Sequence, residues 1–323
     1  MRSALDKGNL HSVLFTGGLD SAYRLCQLAQ DEKAVVQPVY IMFPDDGHPH
    51  KRPELKREIE AQDRILGYIR SNPGTKAKFL PIKRIHRDEV PKDERVMGLE
   101  TELSGYCFGW QYLYIAMLAR WMPGLELCHE TLPEEMLCGE VVFVGEDSRR
   151  TIDVASTKSI FVTLFGNLVW PILGVSRQRM LSDLGKWGYG KVLDYVWFCY
   201  WAVDGEPCGI CDNCVVKIKE GLDFLFPVGA LGRYYVSRVC KLYSLKCRFF
   251  YEFYVRSGRK PDFDYLVNAV GGERDWIPVW LSIIRKLETF DVKRLKSIIE
   301  KYRFLRGRRD IQEAVYHDIM KGK

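Results

Sequence analysis

The chain has 323 residues, of which 47% are hydrophobic and 28% are charged. This composition is typical of soluble globular proteins and excludes disordered and fibrous chains. No apolar run reaches the length of a membrane span, and the residues after Met1 lack the apolar core of a signal peptide. We therefore expect a cytoplasmic protein that does not use a membrane as a partner.

The net charge of +6 is distributed unevenly along the chain. Residues 215–323 contain 23 Lys and Arg against 13 Asp and Glu, whereas residues 1–214 contain 25 basic and 29 acidic residues. The two parts are therefore expected to present different surfaces to their surroundings.

Short apolar runs alternate with segments of helical periodicity between residues 12 and 169. This alternation predicts an α/β fold with a doubly wound parallel sheet. In such a sheet ligands bind beyond the carboxyl ends of the strands, so the loops that follow the strands are expected to carry the chemistry. The predicted strands are 12–15, 35–43, 78–85 and 140–145, and the predicted helices are 21–30, 52–71, 108–121 and 158–169.

Beyond Cys214 the pattern becomes helical with basic faces, for example over 279–287 and 292–305. The predicted domains are residues 1–218, which include the strands, and residues 219–323, a basic and mainly helical extension.

A loop with two glycines joins the first predicted strand to the first predicted helix. The glycines of the Thr16–Ser21 segment allow a close approach of the backbone to an anion, and the amides of the helix N-terminus can face that anion. Thr16 and Ser21 add hydroxyl groups, and Asp20 can hold Mg²⁺ or orient the loop. A tight turn between strand and helix is the alternative reading of the glycine pair. The spacing matches neither the Walker lysine loop nor the Rossmann fingerprint.

The loop resembles the Ser-Gly-Gly-x-Asp-Ser signature of the PP-loop ATP pyrophosphatases, with Thr16 in the first position. The resemblance implies cleavage of ATP between its α and β phosphates and activation of a carboxyl, amide or carbonyl oxygen as the adenylate, with Mg²⁺. It assigns ATP binding to Phe15, Thr16, Gly17, Gly18, Leu19, Asp20 and Ser21.

Four cysteines are clustered in the pattern Cys-x₈-Cys-x₂-Cys-x₂-Cys, at Cys199, Cys208, Cys211 and Cys214. Pairs separated by two residues bend around one metal ion, and four thiolates complete a tetrahedral structural Zn²⁺ site. An iron–sulfur cluster or free thiols are the alternatives. The other six cysteines are scattered and are interpreted as buried thiols.

Together, the glycine loop and the cysteine cluster resemble the 7-cyano-7-deazaguanine synthase (QueC) family over residues 11 to about 218. The resemblance implies a fold of the adenine-nucleotide alpha-hydrolase type. It also implies that ATP activates the carboxylate of 7-carboxy-7-deazaguanine, which forms an amide with ammonia and is then dehydrated to the nitrile.

Several residues outside the glycine loop are candidates for contact with these substrates. Gly145, Glu146 and Asp147 follow the fourth predicted strand and are expected to hold the base. Arg177 is expected to meet the substrate carboxylate or the ATP phosphates, and with Asp20 and Ser21 it forms the predicted catalytic set.

Another acidic pair, Asp45 and Asp46, follows the second predicted strand. It is either a second Mg²⁺ site or part of a solvated loop.

Three departures from the family suggest a specialised member. Residues 106–111 replace the usual Pro-Gly-Arg-Asn stretch, Arg177 and Arg179 stand where Lys and Glu are usual, and the basic extension is absent from compact synthases. Divergent relatives in antiphage operons imply transfer of the activated carboxylate to another amine, such as a protein N-terminus. A protein acceptor held by residues 219–323 is therefore favoured over a nucleic acid.

Three alternatives remain open for the function. They are the plain synthase that uses ammonia, a PP-loop enzyme that modifies tRNA, and a binding module that kept the fold without catalysis.

Overall fold

The computed structural model describes most of the chain and divides it into two compact units, Met1–Phe198 and Cys199–Lys323. The described residues are 10–104, 106, 109–129, 140–146, 148–257, 276–288, 292–302 and 309–321.

The first unit is built on a parallel sheet of six short strands. Its strands are β1 (Leu10–Leu14), β2 (Val35–Met42), β3 (Lys78–Phe79), β4 (Lys83–His86), β5 (Leu125–Glu126) and β8 (Leu168–Val169). The order across the sheet is β3-β2-β1-β5-β8, and β4 pairs with the same edge of β2 as β3 does. In the two longest strands, β1 and β2, Val13 lies opposite Pro38, and on the other side of β1 Val13 lies opposite Glu126 of β5.

The third predicted strand, 78–85, is split into β3 and β4. Pro38 of β2 has no N–H group to donate to a neighbour, and residues 80–82 stand opposite only Gln37 and Pro38. The Gln37 side chain compensates by donating to the carbonyl oxygen of Pro81 at 2.6 Å. Three residues, 80–82, thus face two residues of β2, and the one additional residue forms a bulge. The proline of the neighbouring strand β2 explains its position.

Helices connect the strands and supply most of the apolar core of this unit. Phe161, Phe165 and Trp170 pack with Leu113 and Met117 in one buried cluster beside the strands. The helices are α1 (Leu19–Leu28), α2 (Leu55–Ser71), α3 (Glu94–Met97), α4 (Glu100–Ser104), α5 (Gln111–Trp121), α6 (Ser159–Phe165) and α7 (Arg177–Lys186).

The fourth predicted strand, 140–145, does not belong to the parallel sheet, so this prediction was wrong. Part of it forms β6 (Phe143–Val144), which pairs antiparallel with β7 (Thr151–Ile152) in a separate two-stranded sheet. The next strand of the parallel sheet after β4 is β5. It was missed because it is only two residues long and ends on a charged residue.

The predicted helix 158–169 was also too long. It ends at Phe165, and Leu168–Val169 continues as strand β8.

The described residues of the second unit form mainly helices. Helix α9 contacts four other helices, and its buried face includes Tyr234, Val236 and Val239. The helices are α8 (Asp212–Lys219), α9 (Val228–Tyr243), α10 (Leu245–Ser257), α11 (Ile277–Glu288), α12 (Val292–Tyr302) and α13 (Arg309–Met320).

Residues 199–218, which the sequence grouped with the strands, lie in this helical unit. Arg233 of α9 donates hydrogen bonds to the carbonyl oxygens of Cys208 and Pro207 at 2.9 and 3.0 Å. These contacts explain why the segment groups with the helices.

None of the described helices is both long enough and apolar enough to cross a bilayer.

Candidate functional site

The glycine loop joins the carboxyl end of β1 to the first turn of α1. Gly17 has φ of 82°, and Gly18 is the N-cap of α1. The N-cap residue has no side chain that could accept a hydrogen bond from the first turn, and its own N–H donates to the Thr16 hydroxyl oxygen at 3.4 Å. The N-terminus of the helix therefore lies at the loop, where helix amides can bind an anion. Within the loop, the Ser21 hydroxyl donates to the carbonyl oxygen of Gly18 at 3.2 Å.

Two other segments hold the loop in place. A Cβ atom on Gly17 would lie 3.3 Å from both the Ala61 Cβ and the Glu58 carbonyl oxygen of α2. On the other side, the backbone N–H of Trp197 donates to the Gly17 carbonyl oxygen at 2.9 Å. Gly17 is therefore required for its backbone conformation and for its small size.

The structure brings together two residues of the predicted catalytic set. Arg177, the first residue of α7, donates from its guanidinium group to the carboxylate of Asp20 in α1, although 157 positions separate them. The Arg177 side chain is 10% exposed and that of Asp20 is 22% exposed. A carboxylate and a guanidinium thus lie together at the helix end where phosphates are expected.

The residues present fit a bound Mg²⁺ ion and a triphosphate in their chemistry. Mg²⁺ is held in nucleotide sites by one or two carboxylates together with substrate phosphates, and Asp20 supplies such a carboxylate. Arginine binds phosphate oxygens through its planar fork of donors.

A buried ionic cluster behind the loop was not anticipated from the sequence. Arg24 of α1 donates to Glu126 of β5 at 2.8 and 3.1 Å, and His11 of β1 lies 2.7 Å from the same carboxylate. Burial favours a raised pKa for Glu126, but the hydrogen bonds from His11 and Arg24 outweigh it, and the pKa is lowered. A charged residue within the apolar sequence of α1 was the available signal, but its partner lies 102 positions away.

Two of the predicted substrate residues, Gly145 and Glu146, lie in a hairpin turn. Gly145, with φ of 95°, follows β6 directly, and Arg149 N–H donates to the carbonyl oxygen of the exposed Glu146 at 2.9 Å. Their expected location beyond a strand of the parallel sheet was therefore wrong, because β6 pairs only within the hairpin. Asp147 lies outside the described residues.

The acidic pair after β2 takes part in ion pairs. Arg87 donates to both carboxylate oxygens of Asp46 and also to the carbonyl oxygens of Pro44 and His50. The bond from Arg87 lowers the pKa of Asp46 to about 2. Asp45 pairs with Lys51 at 2.6 Å. Among the described residues, no third carboxylate, histidine or cysteine joins this pair in a cluster.

The four predicted metal ligands do come together. The Sγ atoms of Cys199, Cys208, Cys211 and Cys214 all lie within 4.8 Å of one another, and all four residues are buried. This is the arrangement that a single metal ion with four thiolate ligands requires.

The surrounding backbone suits thiolates rather than thiols. The N–H groups of Ile210 and Cys211 donate to the Sγ atom of Cys208 at 3.4 and 3.2 Å, and that of Trp201 donates to Cys199. These residues fit a metal such as zinc.

No protein-family model matches this chain, and no curated protein matches it either. The interpretation of the site therefore depends on the contacts described above and on the motif resemblance.

Proposed function

We propose that the protein is an ATP-dependent ligase that activates a carboxylate as its adenylate at the Thr16–Ser21 loop. The observation that carries this proposal is the pairing of Asp20 with Arg177 at the N-terminus of α1. A solvated turn would not require an arginine from a distant helix to lie against the loop.

In this proposal, each group of the loop has one task. The amides of the first turn of α1 bind phosphate oxygens, and Asp20 binds Mg²⁺. Arg177 neutralises the charge that develops on the leaving pyrophosphate. When bound, Mg²⁺ supplies further charge neutralisation at the leaving group.

The reaction has two steps. A substrate carboxylate oxygen attacks the α-phosphorus, the bond to the β-phosphate breaks, and pyrophosphate leaves. An amine nitrogen then attacks the acyl carbon, AMP leaves, and the nitrogen loses a proton as the amide forms.

The finer assignments follow the motif resemblance. The substrate is 7-carboxy-7-deazaguanine, the fold is doubly wound as in the adenine-nucleotide alpha-hydrolases, and the four cysteines hold a structural zinc ion. The basic helical unit favours an acceptor larger than ammonia, such as a protein N-terminus.

The test is incubation of the purified protein with Mg²⁺, ATP labelled at the α-phosphate and 7-carboxy-7-deazaguanine. Formation of pyrophosphate and of a labelled acyl-adenylate is expected only when the carboxylate is present, and labelled AMP is expected once an acceptor amine is added. Asp20→Asn and Arg177→Gln are each expected to lower the rate at least about 100-fold, as loss of one transition-state contact does elsewhere. No pyrophosphate from the wild-type protein would overturn the proposal.

Two control variants show whether a loss of rate comes from these two residues or from removing a charge elsewhere on the protein. Arg179→Gln removes a guanidinium from the same helix, where its side chain is 69% exposed and pairs with Asp183. Asp63→Asn removes a surface carboxylate that pairs with Arg84. Both variants are expected to keep wild-type rates.

Adding ammonia in a parallel reaction identifies the acceptor. Release of the free nitrile would favour the plain synthase, whereas pyrophosphate without nitrile favours the specialised ligase. A requirement for tRNA would favour the tRNA-modifying alternative.

A further inference from the structure

The first turns of α2 form one wall beside the glycine loop. Helix α2 begins at Leu55, after the loop that follows β2, and this is the end of the parallel sheet where ligands bind. Glu58 and Ala61 of α2 approach Gly17 so closely that a Cβ atom there would touch both. The residues at the start of α2 therefore lie next to the proposed phosphate site.

Arg57 in this first turn rests on the segment that covers the loop. Its guanidinium carbon lies 5.3 Å from the ring centroid of Trp197. The same Trp197 donates its backbone N–H to the carbonyl oxygen of Gly17, and its own carbonyl oxygen would lie 3.8 Å from a Cβ on Gly18. Trp197 thus connects Arg57 to both glycines of the loop.

The Arg57 side chain is also more accessible than the side chains of Arg52 and Arg177. Arg52 is 15% exposed and pairs with the buried Glu58 at 2.7 Å, and Arg177 is held by Asp20. Arg57 is 36% exposed, and its ion pair is with Glu54, one helical turn earlier, at 3.3 Å. A surface pair of this kind contributes at most about 1 kcal/mol, so a polyphosphate can displace it.

We propose that Arg57 is a further phosphate-binding residue of this site and contacts the phosphates of ATP beyond the α-phosphate. Stacking on Trp197 fixes the plane of its guanidinium group, which leaves the donors on its edge for phosphate oxygens. This inference rests on the proposed function, because it requires ATP at the Thr16–Ser21 loop. It makes Arg57 a determinant of selectivity for the triphosphate over AMP.

The test is isothermal titration calorimetry of the full chain with ATP, ADP and AMP in the presence of Mg²⁺. Arg57→Ala is expected to weaken ATP binding about tenfold, which is the loss of one charge-assisted contact, and to leave AMP affinity unchanged within about twofold. The ATP affinity of Arg57→Lys is expected to lie between those of the wild type and Arg57→Ala. Arg64→Ala is the matched control, because Arg64 is an exposed arginine two turns farther along the same helix.

The possible outcomes separate the inference from the proposed function. Equal ATP affinity of the wild type and Arg57→Ala would overturn the inference alone. Equal losses of ATP and AMP affinity would also overturn it, because they would indicate that Arg57 only supports the loop. Failure of the wild-type protein to bind any of the three nucleotides would overturn the proposed function itself.

Discussion

Gly17 shows at the scale of one residue why the loop sequence is restrictive. Its φ of 82° is unfavourable for residues with a side chain. The neighbouring atoms of α2 also leave no free space, because a Cβ atom would lie 3.3 Å from two of them. A side chain at Gly17 is therefore disfavoured both by the backbone conformation and by the contact with α2.

We expect Gly17→Ala to destabilise the protein by about 2 kcal/mol, from the positive φ and the displacement of α2 together. Denaturant unfolding measures this change, and nucleotide calorimetry is expected to show weaker ATP binding.

Gly47→Ala separates the two contributions. Gly47 has a similar φ of 88°, but nothing lies within 4 Å of a Cβ atom there. Gly47→Ala is expected to lower the stability of the protein by about 1 kcal/mol, from the backbone conformation alone. Equal losses for the two variants would show that α2 does not press on Gly17.

At the scale of elements, the cluster of Arg24, Glu126 and His11 connects α1, β5 and β1. The three side chains are neighbours because the strands lie in parallel register, with Val13 opposite Glu126. A buried carboxylate of this kind is retained only when its charge is compensated by close partners.

Glu126→Gln leaves the guanidinium of Arg24 buried without its carboxylate, and we expect a loss of about 3–5 kcal/mol at neutral pH. The fold lowers the pKa of Glu126 from 4.5, so the stabilisation is present above pH 4.5 and is lost as pH falls through the folded pKa. The stability difference between wild type and Glu126→Gln is therefore expected to shrink below pH 4.5. Denaturant unfolding across this pH range measures it.

The exposed pair of Asp63 and Arg84 is the control for this prediction. Asp63 is 58% exposed, so Asp63→Asn is expected to cost less than about 1 kcal/mol. A comparable loss of stability for Asp63→Asn and Glu126→Gln would contradict the conclusion that Glu126 stabilises the fold through buried ionic contacts.

The sequence predicted the elements whose pattern is local. The first two strands, helix α2 and the cysteine cluster agree with the structure because each carries its signal within a few residues. The fourth predicted strand was placed in the wrong segment because residues 141–144 have the apolar run of a buried strand. The strand that actually joins the sheet, β5, ends on the charged residue Glu126. The long-range contacts with Arg24 and His11 make that glutamate compatible with the core.

The same limit applied to the candidate site. Asp20 and the cysteines were predicted from motif spacing, and Arg177 was predicted from its place in the family resemblance. Arg57 and Trp197 were missed because their meaning depends on contacts with Gly17 and Gly18, and no local pattern indicates those contacts.

At the scale of the whole molecule, the cysteine cluster belongs to the helical unit Cys199–Lys323. Gly209, between two of the ligands, lies so close to α9 that a Cβ atom there would be 2.0 Å from the Ala230 carbonyl oxygen. Metal binding and packing of α9 are therefore expected to depend on each other.

We expect the purified protein to contain about one metal ion per chain, and Cys211→Ala to lose it. Removal of the metal by a strong chelator is expected to lower the thermal stability of the helices, because the free energy of metal binding that stabilises the folded unit is then lost. Elemental analysis and circular dichroism measure the two effects.

Cys240→Ala is the control, since Cys240 is a buried cysteine of the same unit outside the cluster. It is expected to keep the metal. Full helicity and stability of the protein after complete metal removal would contradict a structural role for the cluster.

The bulge opposite Pro38 bears on how the protein behaves at high concentration. One outer edge of the described parallel sheet consists of the two-residue β3 and the four-residue β4, and the other of the two-residue β8. Lys78 and Lys83 add exposed positive charge to the interrupted edge. Such short, charged edges give a foreign strand few consecutive partners, so this sheet is poorly suited to seed cross-β aggregation.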